Sequence, residues 1–158
     1  HIRFLGAEGI GMSALIRILE YQIKNAICNP NMKISKSDLA YEQNDPLDED
    51  IDLVVRSTAI KETDLDFVEL KKRGVEIWHR RDMLNFLSLP FKQVVVTGTH
   101  GKTTCSAMLA HIFVEAAKEN PEIDPSFAVG GILANYNANG KAGSGKYFIL
   151  EGDESDKS

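Results

Sequence analysis

Three consecutive valines, Val94, Val95 and Val96, run into Thr97-Gly98-Thr99-His100-Gly101-Lys102-Thr103-Thr104, and an apolar helical pattern follows at once. A strand, a glycine loop and a helix in that order leave few folds open. Glycines let backbone N–H groups converge on an anion, and the helix N-terminus adds partial positive charge. Lys102 is then placed to reach the β- and γ-phosphates of a nucleotide, and the Thr103 hydroxyl to ligate Mg²⁺. The strict spacing G-x-x-x-x-G-K-[ST] is not met, because Val96 stands at its first glycine. A plain glycine turn with a surface lysine would use the same letters. Gly-Lys-Thr between a strand and a helix favours the phosphate reading.

A phosphate loop needs a carboxylate at the end of a neighbouring strand to complete the Mg²⁺ shell. Residues 147–150 read as a strand, Glu151 ends it, and Asp153, Glu154 and Asp156 follow. Beside a phosphate loop these hard oxygens suit Mg²⁺; standing alone, such a run is a solvated loop. His100 lies inside the loop, where it can meet substrate. His79 and His111 have no zinc-like spacing and read as structural or surface residues. Cys105, just inside the helix, is expected to be a packed thiol. Lys71-Lys72-Arg73 reads as a helix C-terminal turn facing water.

The N-terminal half has its own strand, glycine turn and helix, without internal repeat. A strand over residues 2–5 meets Gly6, Gly9 and Gly11, and Met12, Leu15, Ile16 and Leu19 then recur at helical spacing. The dinucleotide fingerprint G-x-G-x-x-G would need glycine where Glu8 stands, which argues against an NAD-linked oxidoreductase. Two readings stay open: a tight turn for helix–strand packing, or an anion site built on Gly9, Gly11 and the helix N-terminus. Residues 51–55 predict a strand closed by Ser57-Thr58-Ala59, 62–73 an amphipathic helix that Gly74 ends, and 75–78 another strand.

Leu89-Pro90 breaks the pattern, since proline continues neither a helix nor a central strand. A boundary there divides the chain into residues 1–88 and 89–158. Beyond it, 94–96 reads as a buried strand, and Met108, Leu109, Ile112, Phe113 and Ala116 as the apolar face of a helix. Residues 130–146 read as loop-rich, with several Gly and Asn. Strands alternating with helices predict parallel sheets in an α/β protein: a Rossmann-like parallel-sheet domain, then the start of a phosphate-loop α/β domain.

The 158 residues suffice for an ordinary core, and 43% hydrophobic content with a net charge of -5 fits a soluble globular protein. No apolar run approaches the ~20 residues that cross a bilayer. An acidic chain offers no basic field for a nucleic-acid backbone. Two cysteines without C-x-x-C spacing fit a reducing, cytoplasmic setting. The opening His1-Ile2-Arg3, without Met, and the stop at Asp156-Lys157-Ser158 point to a segment of a longer protein.

These pieces, in this order, resemble the bacterial Mur ligases. The residues that carry the resemblance are Gly6-Ala7-Glu8-Gly9-Ile10-Gly11-Met12-Ser13, Ser37-Asp38-Leu39, Ser57-Thr58-Ala59-Ile60 and His79-Arg80 with Met83-Leu84. Residues 98–104, Gly130-Gly131 and Glu151-Gly152-Asp153-Glu154-Ser155-Asp156 complete them. Glu8 stands where the family has glycine. The resemblance implies that residues 1–88 hold a UDP-sugar through Gly9, Ile10, Gly11, Met12, Ser13, Asp38, Ser57, Thr58 and Ala59. It implies ATP on Gly98, Thr99, His100, Gly101, Lys102, Thr103 and Thr104, with Mg²⁺ on Thr103 and Glu151. Lys102, Glu151 and His100 would be catalytic, and Asp153, Glu154 and Ser155 would face substrate. The implied reaction phosphorylates the carboxylate of UDP-N-acetylmuramate to an acyl phosphate, which the amine of L-alanine attacks to form an amide in peptidoglycan synthesis. A family member that recycles a murein tripeptide, and a non-catalytic nucleotide-binding module, are the alternatives.

Overall fold

The computed structural model describes residues 1–37 and 50–152, apart from the side chains of Ile10 and Ser37. Two four-stranded sheets carry the chain. The first contains β1 (Ile2–Leu5), β2 (Ile34–Ser37), β3 (Leu53–Arg56) and β4 (Glu76–His79), all parallel, in the order β2-β1-β3-β4. Helices α1 (Ile10–Lys24), α2 (Leu65–Lys72) and α3 (Arg80–Ser88) belong to this half. The second sheet contains β5 (Lys92–Val96), β6 (Ser126–Leu133), β7 (Ala138–Lys141) and β8 (Tyr147–Glu151), in the order β5-β8-β6-β7. Its one described helix of regular α form is α4 (Lys102–Ala116).

Alternation along the strands decides the layers. In β1, Ile2 and Phe4 point toward α1, whereas Leu5 joins Val54, Phe67 and Leu70 under α2. In β8, Phe148 and Leu150 also pack against the α1 side, whereas Ile149 joins Phe127, Val129 and Ala110 under α4. Helix α1 therefore lies between the two sheets. Its buried set extends past the expected Met12, Leu15, Ile16 and Leu19 to Ala14 and Ile18. Met83 and Leu87 of α3 complete the same core. Each fully buried Phe, Leu or Ile there contributes about 1.5–3 kcal/mol by leaving water.

Local chemistry sets the helix ends. Asp64 caps α2, its side chain accepting from the N–H groups of Asp66 (3.1 Å) and Phe67 (3.2 Å). Gly74, at φ +74°, follows the last turn of α2, as expected, and Lys71, Lys72 and Arg73 are exposed there. Helix α3 opens where the His79 N–H donates to Asp82 Oδ2 at 2.8 Å.

Several expectations need correction. The second sheet is mixed, because β7 pairs antiparallel with β6. Those two strands occupy much of the stretch expected to be loop-rich; glycines and asparagines there serve a hairpin packed on α1. Strand β5 lies at the sheet edge, and Val95 is 48% exposed rather than buried. Helix α4 buries Ser106 and Ala110 and rests Ala107, Leu109, Phe113 and Val114 on the sheet. Met108 and Ile112 point outward, at 54% and 59% exposure, and Ala116 is exposed too. A helix apolar all round hides which stripe faces the sheet.

Candidate functional site

Parallel strands place their carboxyl ends on one edge, and ligands of such sheets sit at the point where the strand order reverses. In the first sheet that point lies between β1 and β3. The Gly6–Gly11 turn leaves β1 there and the Ser57-Thr58-Ala59 turn leaves β3. The two touch: a Cβ on Gly6, which has φ +77°, would stand 3.0 Å from Ser57 Cβ. Ser57 N–H donates to Leu5 O at 3.0 Å, and Ser57 Oγ accepts from Ala59 N–H at 3.3 Å. Thr58, Ala59 and Glu8 are exposed.

Gly9 is the N-cap of α1, and its carbonyl accepts from the N–H groups of Met12 (2.9 Å) and Ser13 (3.0 Å). Met12 sends its side chain into the core. Ile10 is the first residue of the helix, and the N–H of Gly11 takes no backbone acceptor among the described residues. The first turn of α1 contains no acidic residue. Across it lies Arg80, so close that a Cβ on Gly11 would stand 1.9 Å from Arg80 Nη1. Asp38 lies outside the described residues.

In the second sheet the loop of residues 97–101 leaves the carboxyl end of β5, and Val96 pairs with Glu151 at the end of neighbouring β8. Gly101, at φ +77°, is the N-cap of α4; only the absence of a Cβ makes this left-handed turn inexpensive. The N–H groups of Lys102, Thr103 and Thr104 take no backbone acceptor among the described residues, as the first turn of a helix requires. Lys102 Nζ bends back and donates to Gly98 O at 2.5 Å, so the lysine spans the loop. Thr99, His100, Thr103 and Thr104 are exposed.

The Glu151 carboxylate is held from three sides. Oε1 accepts from Ser106 Oγ at 2.7 Å and from the Gly130 N–H at 2.9 Å, while Oε2 accepts from Thr103 Oγ1 at 3.2 Å. Adjacent ligands of an octahedral Mg²⁺ with bonds of about 2.1 Å stand about 3 Å apart, which the Thr103–Glu151 pair matches. The described residues contain no cluster of three or more His, Cys, Asp or Glu side chains that could hold a metal ion, so one carboxylate and one hydroxyl are what they offer a cation here. That set fits Mg²⁺, which takes its other ligands from phosphates and water. Asp153, Glu154, Ser155 and Asp156 lie outside the described residues.

One cavity of about 290 Å³ joins the two halves, lined among others by Gly11, Arg80, Lys102, Gly130, Asn139 and Glu151. Arg80, Ser106 and the Gly130 amide are the residues to which the motifs gave no site role. A serine on the buried stripe of α4 is the signal for Ser106, since buried hydroxyls seek partners. Arg80 sits in the quoted His79-Arg80 pair but has no local pattern that reveals its place over Gly11. Cys105 is exposed, not packed, because it lies in the first turn of α4, where Thr103 and Thr104 are exposed as well. His111 Nδ1 lies 2.7 Å from the Tyr136 hydroxyl, and His79 Nε2 lies 3.2 Å from Arg56 Nη2; both are structural contacts. Among the described residues no helix is long and apolar enough to cross a membrane.

No protein-family model matches the chain. It is 38% identical over 99% of its length to the UDP-N-acetylmuramate–L-alanine ligase of Dictyoglomus turgidum, covering 34% of that protein. It is equally 38% identical to the ligase of the same name from Fusobacterium nucleatum, again over 99% of this chain and 34% of the relative. The solved UDP-N-acetylmuramate–alanine ligase of Thermotoga maritima superposes with a TM-score of 0.67 at 24% identity, covering 95% of this chain and 36% of that one. A ligase from Neisseria meningitides, titled UDP-N-acetylmuramate:L-alanyl-gamma-D-glutamyl-meso-diaminopimelate ligase, gives 0.73 at 22%, covering 99% and 53%. The two superpositions show the shared fold. The chain spans about a third of the length of the curated relatives it matches. Along its whole length the chain is similar in sequence to these ligases, and it shares the fold of the solved Mur ligases.

Proposed function

We propose that this chain is the UDP-sugar- and ATP-binding portion of a cytoplasmic, ATP-dependent ligase that joins L-alanine to UDP-N-acetylmuramate through an acyl phosphate in peptidoglycan synthesis. Residues 1–88 are the UDP-sugar domain and residues 89–158 the first part of the ATP domain. The observation that carries this reading is the cavity in which Lys102 and Glu151 meet Gly11 and Arg80. An activated carboxylate forms only if sugar nucleotide and ATP meet in one place, and this cavity is lined from both halves. The names of the curated relatives support the alanine-adding assignment.

The chain's own residues divide the work. The amides at the start of α4 cradle the phosphates of ATP, and Lys102 turns from Gly98 O to the transferring group. Gly9 to Ser13 and the Arg80 guanidinium hold the diphosphate of the UDP-sugar, with Ser57, Thr58 and Ala59 closing the far side. Thr103 and Glu151 hold Mg²⁺, which neutralises charge on the γ-phosphoryl group when bound. His100, exposed at the loop, is assigned to the side of the sugar or the incoming amine.

The test is phosphate release by the complete product of the gene with ATP, Mg²⁺ and UDP-N-acetylmuramate, adding L-alanine or the murein tripeptide in separate reactions. Release that requires L-alanine bears out the reading. Release only with the tripeptide moves the protein to the recycling activity, and none with either leaves a nucleotide-binding module.

A further inference from the structure

Ser106 has no place in the reaction as described above, yet it is 0% exposed and polar on the buried stripe of α4. Its hydroxyl has two acceptors within reach, Thr103 O at 3.1 Å and Glu151 Oε1 at 2.7 Å. The first is the back-bond that a buried serine makes in many helices. The second is shorter, reaches 45 residues along the chain, and has the length of a hydroxyl bonded to an ionised carboxylate. No helical requirement explains it.

We propose that Ser106 is a positioning residue for the metal carboxylate: it fixes Glu151 Oε1 so that Oε2 stays beside the Thr103 hydroxyl as the protein's pair of oxygens for Mg²⁺. This rests on the Mg²⁺ reading of Thr103 and Glu151. The two oxygens of Glu151 are treated unequally. Oε1 takes two donors, Ser106 Oγ and the Gly130 N–H, and Oε2 takes Thr103 Oγ1. A glutamate side chain has several rotamers, and an unheld carboxylate would leave the Thr103 side for water. Strand β6 presses from the other side: a Cβ on Gly130 would stand 3.1 Å from both Glu151 Oε2 and Thr103 Oγ1. With the strand against the carboxylate and the serine beneath it, one orientation remains. Groups that orient metal ligands in this way change metal affinity by about 10–100-fold when removed.

The test uses the complete gene product with ATP and reads Mn²⁺ affinity by electron paramagnetic resonance, with the Mg²⁺ concentration for half-maximal phosphate release as a second reading. Ser106→Ala is expected to weaken Mn²⁺ binding by about tenfold or more. Ser106→Cys, close in volume but a poor donor, should do the same, and it keeps the test open if the alanine variant does not fold. Ser106→Thr, which restores the hydroxyl, should return affinity to within about twofold of the wild type. A folded Ser106→Ala or Ser106→Cys protein with wild-type Mn²⁺ affinity overturns the proposal, as does a Ser106→Thr protein as weak as the alanine variant. Glu151→Gln separates the two levels. If the wild type binds Mn²⁺ no better than Glu151→Gln, the metal reading itself falls and the proposal with it. If only Glu151→Gln is weakened, the proposal alone falls.

Discussion

Gly140 of β7 faces Ala14 of α1 so closely that a Cβ on Gly140 would stand 2.5 Å from Ala14 Cβ and 3.0 Å from its Cα. This is where the central helix meets the second sheet, and backbone lies on both sides of the contact. Gly140→Ala should therefore destabilise the protein by about 1–3 kcal/mol, the usual cost of overpacking a tight core. Adding Ala14→Gly removes the opposing methyl at a cost of about 1 kcal/mol for a helical glycine. The double variant should then recover part of the loss in thermal unfolding. Equal melting temperatures for Gly140→Ala and wild type would show that α1 and β7 do not pack this closely.

Arg80 and Gly11 make a second pair with a functional reading. A methyl on Gly11 collides with the far end of the Arg80 side chain, which can swing away, so Gly11→Ala should fold. Both Gly11→Ala and Arg80→Ala then remove the guanidinium from its place over the α1 N-terminus. In the complete gene product each should raise KM for UDP-N-acetylmuramate about tenfold, the loss of one charge-assisted contact, with KM for ATP changed far less. Because they act through one group, the double variant should resemble the singles. Additive losses would separate the roles of the two residues.

Much of this arrangement is legible in the sequence, and the reasons for the rest are physical. The strand–loop–helix unit around residues 97–104 announces itself through its valines, its glycines and the apolar helix that follows, and Glu151 is placed by the strand before it. The α1 stripe is legible because a helix covering a sheet shows 3.6 periodicity. Helix α4 is not, since Met108 and Ile112 are as apolar as Leu109 and Phe113, and nothing local says which pair meets the sheet. The hairpin of β6 and β7 is obscured by its glycines, and Gly140 is needed for close packing on α1, a long-range demand. Arg80 and Ser106 join the site through residues more than forty positions away, which no window of sequence contains.

Lys102 can be tested without disturbing the fold. Its ammonium donates to a loop carbonyl, Gly98 O, and its stem is only partly buried, so Lys102→Met keeps the apolar chain and removes the charge. Phosphate release by the complete gene product should fall about 10²–10³-fold in kcat, the scale of losing one group aimed at developing charge. The melting temperature without nucleotide should remain near that of the wild type. A variant that keeps its rate would remove Lys102 from the phosphate site.

The two thiols should differ in reactivity, and pH should widen or close the gap in a definite direction. Cys105 is exposed at the start of α4, whereas Cys28 is half-buried and donates to Gln22 Oε1 at 3.1 Å. Burial disfavours the thiolate of Cys28 and pushes its pKa up. Only the thiolate reacts, so at pH 8 a chromogenic disulfide should label Cys105 quickly and Cys28 slowly. Raising the pH ionises the lagging Cys28 thiol progressively, and its rate should climb through a higher range than a free cysteine's. Labelling is read cleanly in Cys105→Ser, where the slow phase alone should remain. A fast phase surviving in that variant would place Cys28 at the surface and undo the packing of the 25–34 segment against α1.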